Sequence, residues 1–265
     1  MMLRSVFGKA LRDQRWALLG WGTGVVLLVL IEAAVWPTFS DMPDINKFLQ
    51  NYPEAFRKLF DIESMTTGTG FMNAELFTLM LPLLFIIFAV GRGARMIAGE
   101  EESGVLEVVL ATPVSTRAVL LQKAAALVVG VTALGVVLGV ALLVCSAAFG
   151  LGIGFGSALS GCLAMVLMGV EFGALSLAVG AATGRRALAI GVAGAAAVAA
   201  YVLYALALIV DAFEPWQPLS PFHQALHAGP LGAGVPASAV LVALGAVVVL
   251  VVAVPVFDRR DLRLR

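Results

Sequence analysis

Six apolar runs, each of about 20 residues or more, dominate the 265-residue chain and limit what it can fold into. A helix rises about 1.5 Å per residue and the hydrocarbon core of a bilayer is about 30 Å thick, so about 20 apolar residues cross it. We therefore predict six membrane-spanning helices. They are Trp16–Trp36, Phe71–Val90, Val119–Phe149, Ser157–Thr183, Ala187–Val210 and Ala237–Phe257.

The composition agrees with a membrane-embedded helical bundle. Hydrophobic residues make up 61% of the chain and charged residues 13%, whereas soluble domains average about 45–50% and about 25%. One core of this length cannot hide so much apolar surface, so lipid must solvate part of it. We predict an all-α membrane protein with a single transmembrane domain over residues 1–265. The zero net charge argues against nucleic-acid binding.

The distribution of lysine and arginine predicts the orientation of the spans. Of 17 basic residues, all but Lys47, Arg57 and Lys58 fall in the two termini, in the connections after the second and fourth spans or, for Lys123, at the start of the third span. Positive residues favour the cytoplasmic side of a membrane. Both termini are therefore expected in the cytoplasm.

Four segments outside the predicted spans have patterns of their own. Residues 1–15 favour an amphipathic helix at the inner membrane surface, although their basic residues could serve only to orient the first span. The first outer loop, residues 37–70, has apolar residues at helical spacing on either side of Pro53, which favours short amphipathic helices. The second outer loop, residues 211–236, contains no lysine or arginine.

The fourth segment, residues 99–117, follows the second span and is too short and too charged to cross the membrane. Its acidic residues suit a helix N-terminus, and Pro113 is expected to end that helix. The apolar residues after the acidic ones fall on one face, which we expect to dock in a groove of a partner protein. They are Val105, Leu106, Val109 and Leu110.

Three motifs, taken in order, resemble those of the type-2 ABC transporter permeases. The first runs from Gly99-Glu-Glu-Glu-Ser-Gly-Val-Leu-Glu107 to Thr112-Pro-Val-Ser115. The second is Leu219-Ser-Pro-Phe-His223 followed by Gly229-Pro-Leu231, and the third is Phe257-Asp-Arg-Arg-Asp261. With the six-span layout, the resemblance covers nearly the whole chain.

This resemblance implies the permease subunit of an ABC exporter in the inner membrane of a bacterium. Two copies of a separate ATPase subunit would bind ATP and magnesium, and a second permease, either identical or a paralogue, would complete the assembly. Glu100–Ala111 would be the coupling helix that rests on the ATPase, and residues 1–15 the connecting helix beside it. The alternative for the acidic residues is an ordinary solvated charge run. The implied coupling residues are Glu100, Glu101, Glu102, Val105, Leu106, Glu107, Val109 and Leu110.

The sequence contains no feature of an enzyme. The phosphate-binding motif G-x-x-x-x-G-K-[ST] is absent, so we expect ATP hydrolysis on another polypeptide and no cofactor in this chain. Cys145 and Cys162 lie in apolar runs and are interpreted as small packing residues. The two histidines, His223 and His227, have no acidic or thiol neighbour at ligand spacing, so no metal site is expected.

Glu171 is the only ionisable residue near the middle of a predicted span. Such a carboxylate is unfavourable in a bilayer unless it is paired or protonated. It could line a substrate path or simply link two helices. The leading hypothesis is export of a hydrophobic or amphipathic compound, such as an antibiotic, lipid or peptide. Two rivals remain: an ion-coupled secondary carrier that uses Glu171, and a non-transporting scaffold or immunity protein.

Overall fold

The computed structural model describes residues 5–42, 53–60 and 62–260. Across these ranges it is helical and has no strand. Six helices are long and apolar enough to cross a membrane, which confirms the predicted number of spans. The spans, numbered one to six, are Val6–Ser40, Gly68–Glu102, Thr116–Phe149, Phe155–Thr183, Arg186–Ile209 and Ala239–Asp258.

The first span begins ten residues earlier than expected and continues without a break past Arg15. Ser5 caps its N-terminus, since its hydroxyl accepts a hydrogen bond from the Gly8 amide at 3.1 Å. The 35 residues of this helix extend about 50 Å, well beyond the hydrocarbon core. Within the described residues, the structure therefore differs from the expectation of a separate interfacial helix in residues 1–15.

Polar contacts explain why the N-terminal extension stays in the first span. The Phe7 amide donates to the Gln122 side chain of the third span at 3.1 Å. Gln14 is buried and donates to the Ala126 carbonyl at 2.9 Å. Val6, Phe7 and Leu11 of the same segment also pack against the hydrophobic core of the bundle.

The second and fourth spans form the centre of the bundle. The fourth span packs against the second, third, fifth and sixth spans. Gly93 of the second span lies directly against the backbone carbonyl of Gly173, and a side chain at Gly173 would meet Ala89 at 2.9 Å. Glycine thus permits the two backbones to approach each other closely, as is common between membrane helices.

Two faces of small residues, one on the fourth span and one on the fifth, have different environments. Gly180 of the fourth span is in ordinary van der Waals range of Ala98 in the second span, and Ala181 is fully buried. Gly191 and Gly194 of the fifth span have open space where a side chain would be. The first face is internal and the second is on the outer surface of the bundle.

The second span contains two stretches of π-helix, Asn73–Met80 and Arg95–Gly99, which flank the regular helix Leu81–Ala94. Such wider turns are rare and are frequently found at functional sites. The second stretch immediately precedes the acidic residues of the 99–117 segment.

Short helices occupy the described parts of the outer loops. Glu54–Phe60 begins directly after Pro53, and a 3₁₀ segment follows at Ile62–Thr66. Residues 43–52 of this loop, which hold the part of the predicted amphipathic pattern before Pro53, lie outside the described residues. The second outer loop contains Asp211–Leu219 in 3₁₀ geometry and the short helix Pro221–Leu226.

Candidate functional site

The segment after the second span consists of two helical pieces rather than the single helix expected for Glu100–Ala111. Glu100–Glu102 form the last turn of the second span, and the short helix Val105–Leu110 follows. Gly104 separates them with a φ of 72°, a left-handed conformation that glycine adopts without strain. We call Glu100–Glu102 the glutamate cluster and Val105–Leu110 the 105–110 helix.

Glu100 binds two lysines from two other spans. Its Oε1 accepts from Lys9 Nζ of the first span at 2.7 Å, and its Oε2 accepts from Lys123 of the third span. Lys123 is 1% exposed and also donates to the carbonyl of Met96. One carboxylate therefore compensates a buried ammonium and a partly exposed one.

Glu101 is bound to the far end of the chain. Its carboxylate accepts from the guanidinium of Arg260, just beyond the sixth span. The same guanidinium donates to the carbonyl of Ala181 at 2.6 Å, near the end of the fourth span. Arg260 thus satisfies an end-of-helix carbonyl and the carboxylate together.

Glu102 contacts the start of the fifth span, where its Oε1 accepts from the Arg186 amide at 2.8 Å. With this contact, the glutamate cluster is joined to the first, third, fifth and sixth spans. Two of its members are largely enclosed: the side chains of Glu100 and Glu101 are 16% and 12% exposed. These two are not an ordinary solvated charge run.

A second ion pair reinforces the same end of the bundle. Asp258, the last residue of the sixth span, accepts from the Arg117 guanidinium at 2.7 Å and from the Thr116 hydroxyl. The third span begins at Thr116, with Ser115 as its cap. The Phe257-Asp-Arg-Arg motif therefore contributes two separate anchors, Asp258 and Arg260.

The face of the 105–110 helix that is exposed differs from the one that the sequence indicated. Leu106 is 1% exposed, and Val109 and Leu110 pack against the hydrophobic core of the chain itself. The exposed apolar side chains are Val105 and Val108, of which Val108 is 71% exposed. The structure thus differs from the expectation that Leu106, Val109 and Leu110 face a partner, because their common face covers the chain's own bundle.

Several residues of this site were missed in the sequence. Lys123 was used only to assign orientation, although a lysine inside an apolar run should prompt a search for an acidic partner. No local pattern indicates the partners of Lys9 or Arg260. Val108 was not assigned to the predicted apolar face, although it follows Val105 at i+3 and so neighbours it on the helix surface.

Glu171 lies in the fourth span and faces Gly245 of the sixth. A side chain at position 245 would come within 2.6 Å of the Glu171 Oε1, so the glycine leaves room for the carboxylate. The other oxygen, Oε2, is buried and has no hydrogen-bond partner in the part of the chain that the structure describes. Within the described residues, Oε2 of Glu171 therefore does not link the fourth span to another helix by a hydrogen bond.

The histidines and cysteines form no metal site among the described residues, where no group of three potential ligands occurs. Cys145 and Cys162 are buried free thiols. His223 and His227 stack with ring centroids 4.5 Å apart, and His227 Nδ1 lies 2.7 Å from the His223 carbonyl. Burial and then the nearby His227 lower the pKa of His223.

These features define a multi-pass helical membrane protein whose spans are joined by ion pairs at one end. A family model described as "ABC-2 family transporter protein" matches residues 4–262, so the chain belongs to that family of transporter membrane subunits. This match confirms the resemblance drawn from the three sequence motifs. No curated protein matches the chain.

Proposed function

We propose that this chain is the permease subunit of an ATP-driven exporter in the cytoplasmic membrane of a bacterium, with hydrolysis on a separate ABC ATPase. The family implies such an ATPase as partner. In support, the sequence lacks the phosphate-binding motif of ATPases. Charge distribution supports cytoplasmic termini, and two permease chains with two ATPase copies would complete the machine.

The proposal rests mainly on the 105–110 helix, which exposes apolar side chains and follows a glutamate cluster that is bound to several spans. Val105 and Val108 present apolar surface at the end of the bundle, where exposed apolar residues on a helix favour a helix-in-groove contact. Next to this helix, the glutamate cluster is bound to four spans. Force applied to the 105–110 helix would therefore reach most of the bundle directly.

The roles predicted for individual residues are revised in this proposal. Val105 and Val108 contact the ATPase, with Glu107 beside them. Glu100, Glu101 and Glu102 act as positioning residues that hold the 105–110 helix against the spans. Leu106, Val109 and Leu110 support that helix from beneath.

The test is a charge placed on the exposed face. Val108→Asp should release the ATPase during purification in mild detergent, or abolish stimulation of ATP turnover, while the chain still inserts. Val235→Asp is the matched control, because Val235 is 41% exposed but lies in the second outer loop. Unchanged assembly and turnover in Val108→Asp would refute the coupling role.

The transported compound is proposed to be hydrophobic or amphipathic, since the surfaces of the spans are apolar over most of their length. Glu171 supports the ion-coupled alternative, because the buried Oε2 lacks a described partner. Transport by Glu171→Gln, measured across pH, separates the two mechanisms. A rate and a pH profile equal to those of the wild type would exclude Glu171 as the coupling site.

A further inference from the structure

A pocket of about 680 Å³ lies beside the glutamate cluster, between the first and second spans. Seven basic and three acidic side chains line it, and we call it the basic pocket. The acidic groups are already engaged by Lys9, Lys123 and the Arg186 amide. The arginines that line it make no ion pair with any carboxylate of the described residues. They are Arg12, Arg15, Arg92, Arg95 and Arg186.

Arg92 is the most informative of these arginines. It is 8% exposed, and its Nε has no hydrogen-bond partner within residues 5–42, 53–60 and 62–260. A buried guanidinium with no carboxylate at ion-pair distance is unfavourable, and more so in a membrane protein. Guanidinium groups bind phosphate through paired hydrogen bonds. The pocket therefore has the chemistry of a site for a phosphate group.

An apolar groove continues from the basic pocket along the same two spans. Arg15 and Trp16 line the pocket, and the next residue, Ala17, begins the groove. Its residues on the first span extend from Ala17 to Leu28, which is about 16 Å of helix, and Met80, Leu83 and Leu84 form its other wall. That length is about half the hydrocarbon thickness of a bilayer, and so about one leaflet.

We infer that the first and second spans bind an anionic membrane lipid, with its phosphate against Arg92 in the basic pocket and an acyl chain along the apolar groove. The apolar groove lies next to the basic pocket. This arrangement favours a lipid over a free anion, because the groove can bind the acyl chain of a lipid. It also favours a lipid over a second copy of the chain, because the concave, arginine-lined end suits a compact anion. The site goes beyond the proposed transport function and does not depend on it.

The probes are phosphatidylglycerol, phosphatidylcholine and inorganic phosphate, added to the delipidated full-length chain with any ATPase that co-purifies. Native mass spectrometry measures the bound lipid. We expect phosphatidylglycerol to bind about tenfold more tightly than the zwitterionic phosphatidylcholine, and inorganic phosphate to compete weakly. Arg92→Gln should lower the affinity for phosphatidylglycerol about tenfold. Arg185→Gln removes a neighbouring charge outside the pocket and should have no effect.

The groove is tested with a second variant that the fold tolerates. Gly24 lines the groove, and no described atom lies within 4 Å of a Cβ placed there, so the side chain of Gly24→Leu would extend into the groove. It should weaken phosphatidylglycerol binding severalfold, whereas Gly191→Leu, at an open position on the fifth span, should not. Equal binding of the lipid by the wild type, Arg92→Gln and Gly24→Leu would overturn the proposal. Strong competition by inorganic phosphate, with Gly24→Leu unaffected, would show a free-anion site and refute the lipid.

Discussion

Lys123 and Glu100 form an ion pair between the third span and the end of the second, at a point where the lysine is almost fully enclosed by protein. Lys9 binds the other oxygen of the same carboxylate at 2.7 Å. A buried ion pair is weak evidence for net stability, but removal of one partner leaves an uncompensated charge. The pair therefore makes the bundle sensitive to any change at position 100.

Glu100→Gln should lower the free energy of unfolding by about 3–5 kcal/mol, because Lys123 would remain buried without its anion. Thermal unfolding in detergent measures the change. Glu102→Gln is the control, since Glu102 is exposed and the amide oxygen of glutamine can still accept from the Arg186 amide. The double variant Glu100→Gln with Lys123→Met should regain part of the loss. A double variant less stable than Glu100→Gln alone would contradict this account.

Gly173→Val should destabilise the bundle, because the new side chain would meet Ala89 at the closest approach of the second and fourth spans. Overpacking of this kind costs about 1–3 kcal/mol or prevents folding. The yield of monodisperse protein and its thermal midpoint are the measurements. Gly191→Val, at an open position, should behave as the wild type does. Equal losses in both variants would indicate a general effect of valine rather than a packing conflict.

Gly104→Ala should cost about 1 kcal/mol, because alanine is strained at a φ of 72°. The strain is local, since no atom of the described residues lies within 4 Å of the added Cβ. Gly154→Ala is matched to it: that position is equally open and has a φ of −80°. Comparison of the two thermal midpoints isolates the effect of backbone conformation, and identical midpoints would show that position 104 carries no strain.

Stability should fall as the pH drops through the ordinary range of histidine. The pKa of His223 is lowered by burial and then by His227, so the unfolded chain binds a proton at a higher pH than the folded chain does. Linkage then makes the folded state less stable below a pH of about 6.5. His223→Gln should flatten the dependence of the thermal midpoint between about pH 7.5 and 5.5. A midpoint that falls equally in both proteins would assign the effect to other groups.

The spans were predictable because a run of about 20 consecutive apolar residues has few stable structures other than a membrane-spanning helix. The residues at which these helices begin and end were not predictable. The first span is extended by a serine cap and by hydrogen bonds to residues of the third span, more than 100 positions away in sequence. Such contacts leave no local pattern.

The glutamate cluster shows the same limit. Acidic residues after the second span were evident, but their partners lie 23 positions away for Lys123 and 159 positions away for Arg260. For the 105–110 helix, periodicity grouped Val105, Leu106, Val109 and Leu110 on one face but could not say what covers them. Leu106 packs on the chain's own spans, which leaves Val105 and Val108 as the outward apolar residues.

The π-helical stretch Arg95–Gly99 interrupts the regular α-helical geometry of the second span just before Glu100. A π-helical turn accommodates one residue more than an α-helical turn. If that stretch relaxed to regular geometry, everything beyond it would swivel by about 100° and advance by about 1.5 Å. The carboxylates would then point away from Lys123 and Arg260, so the ion pairs of Glu100 and Glu101 fit only the π-helical geometry of this stretch.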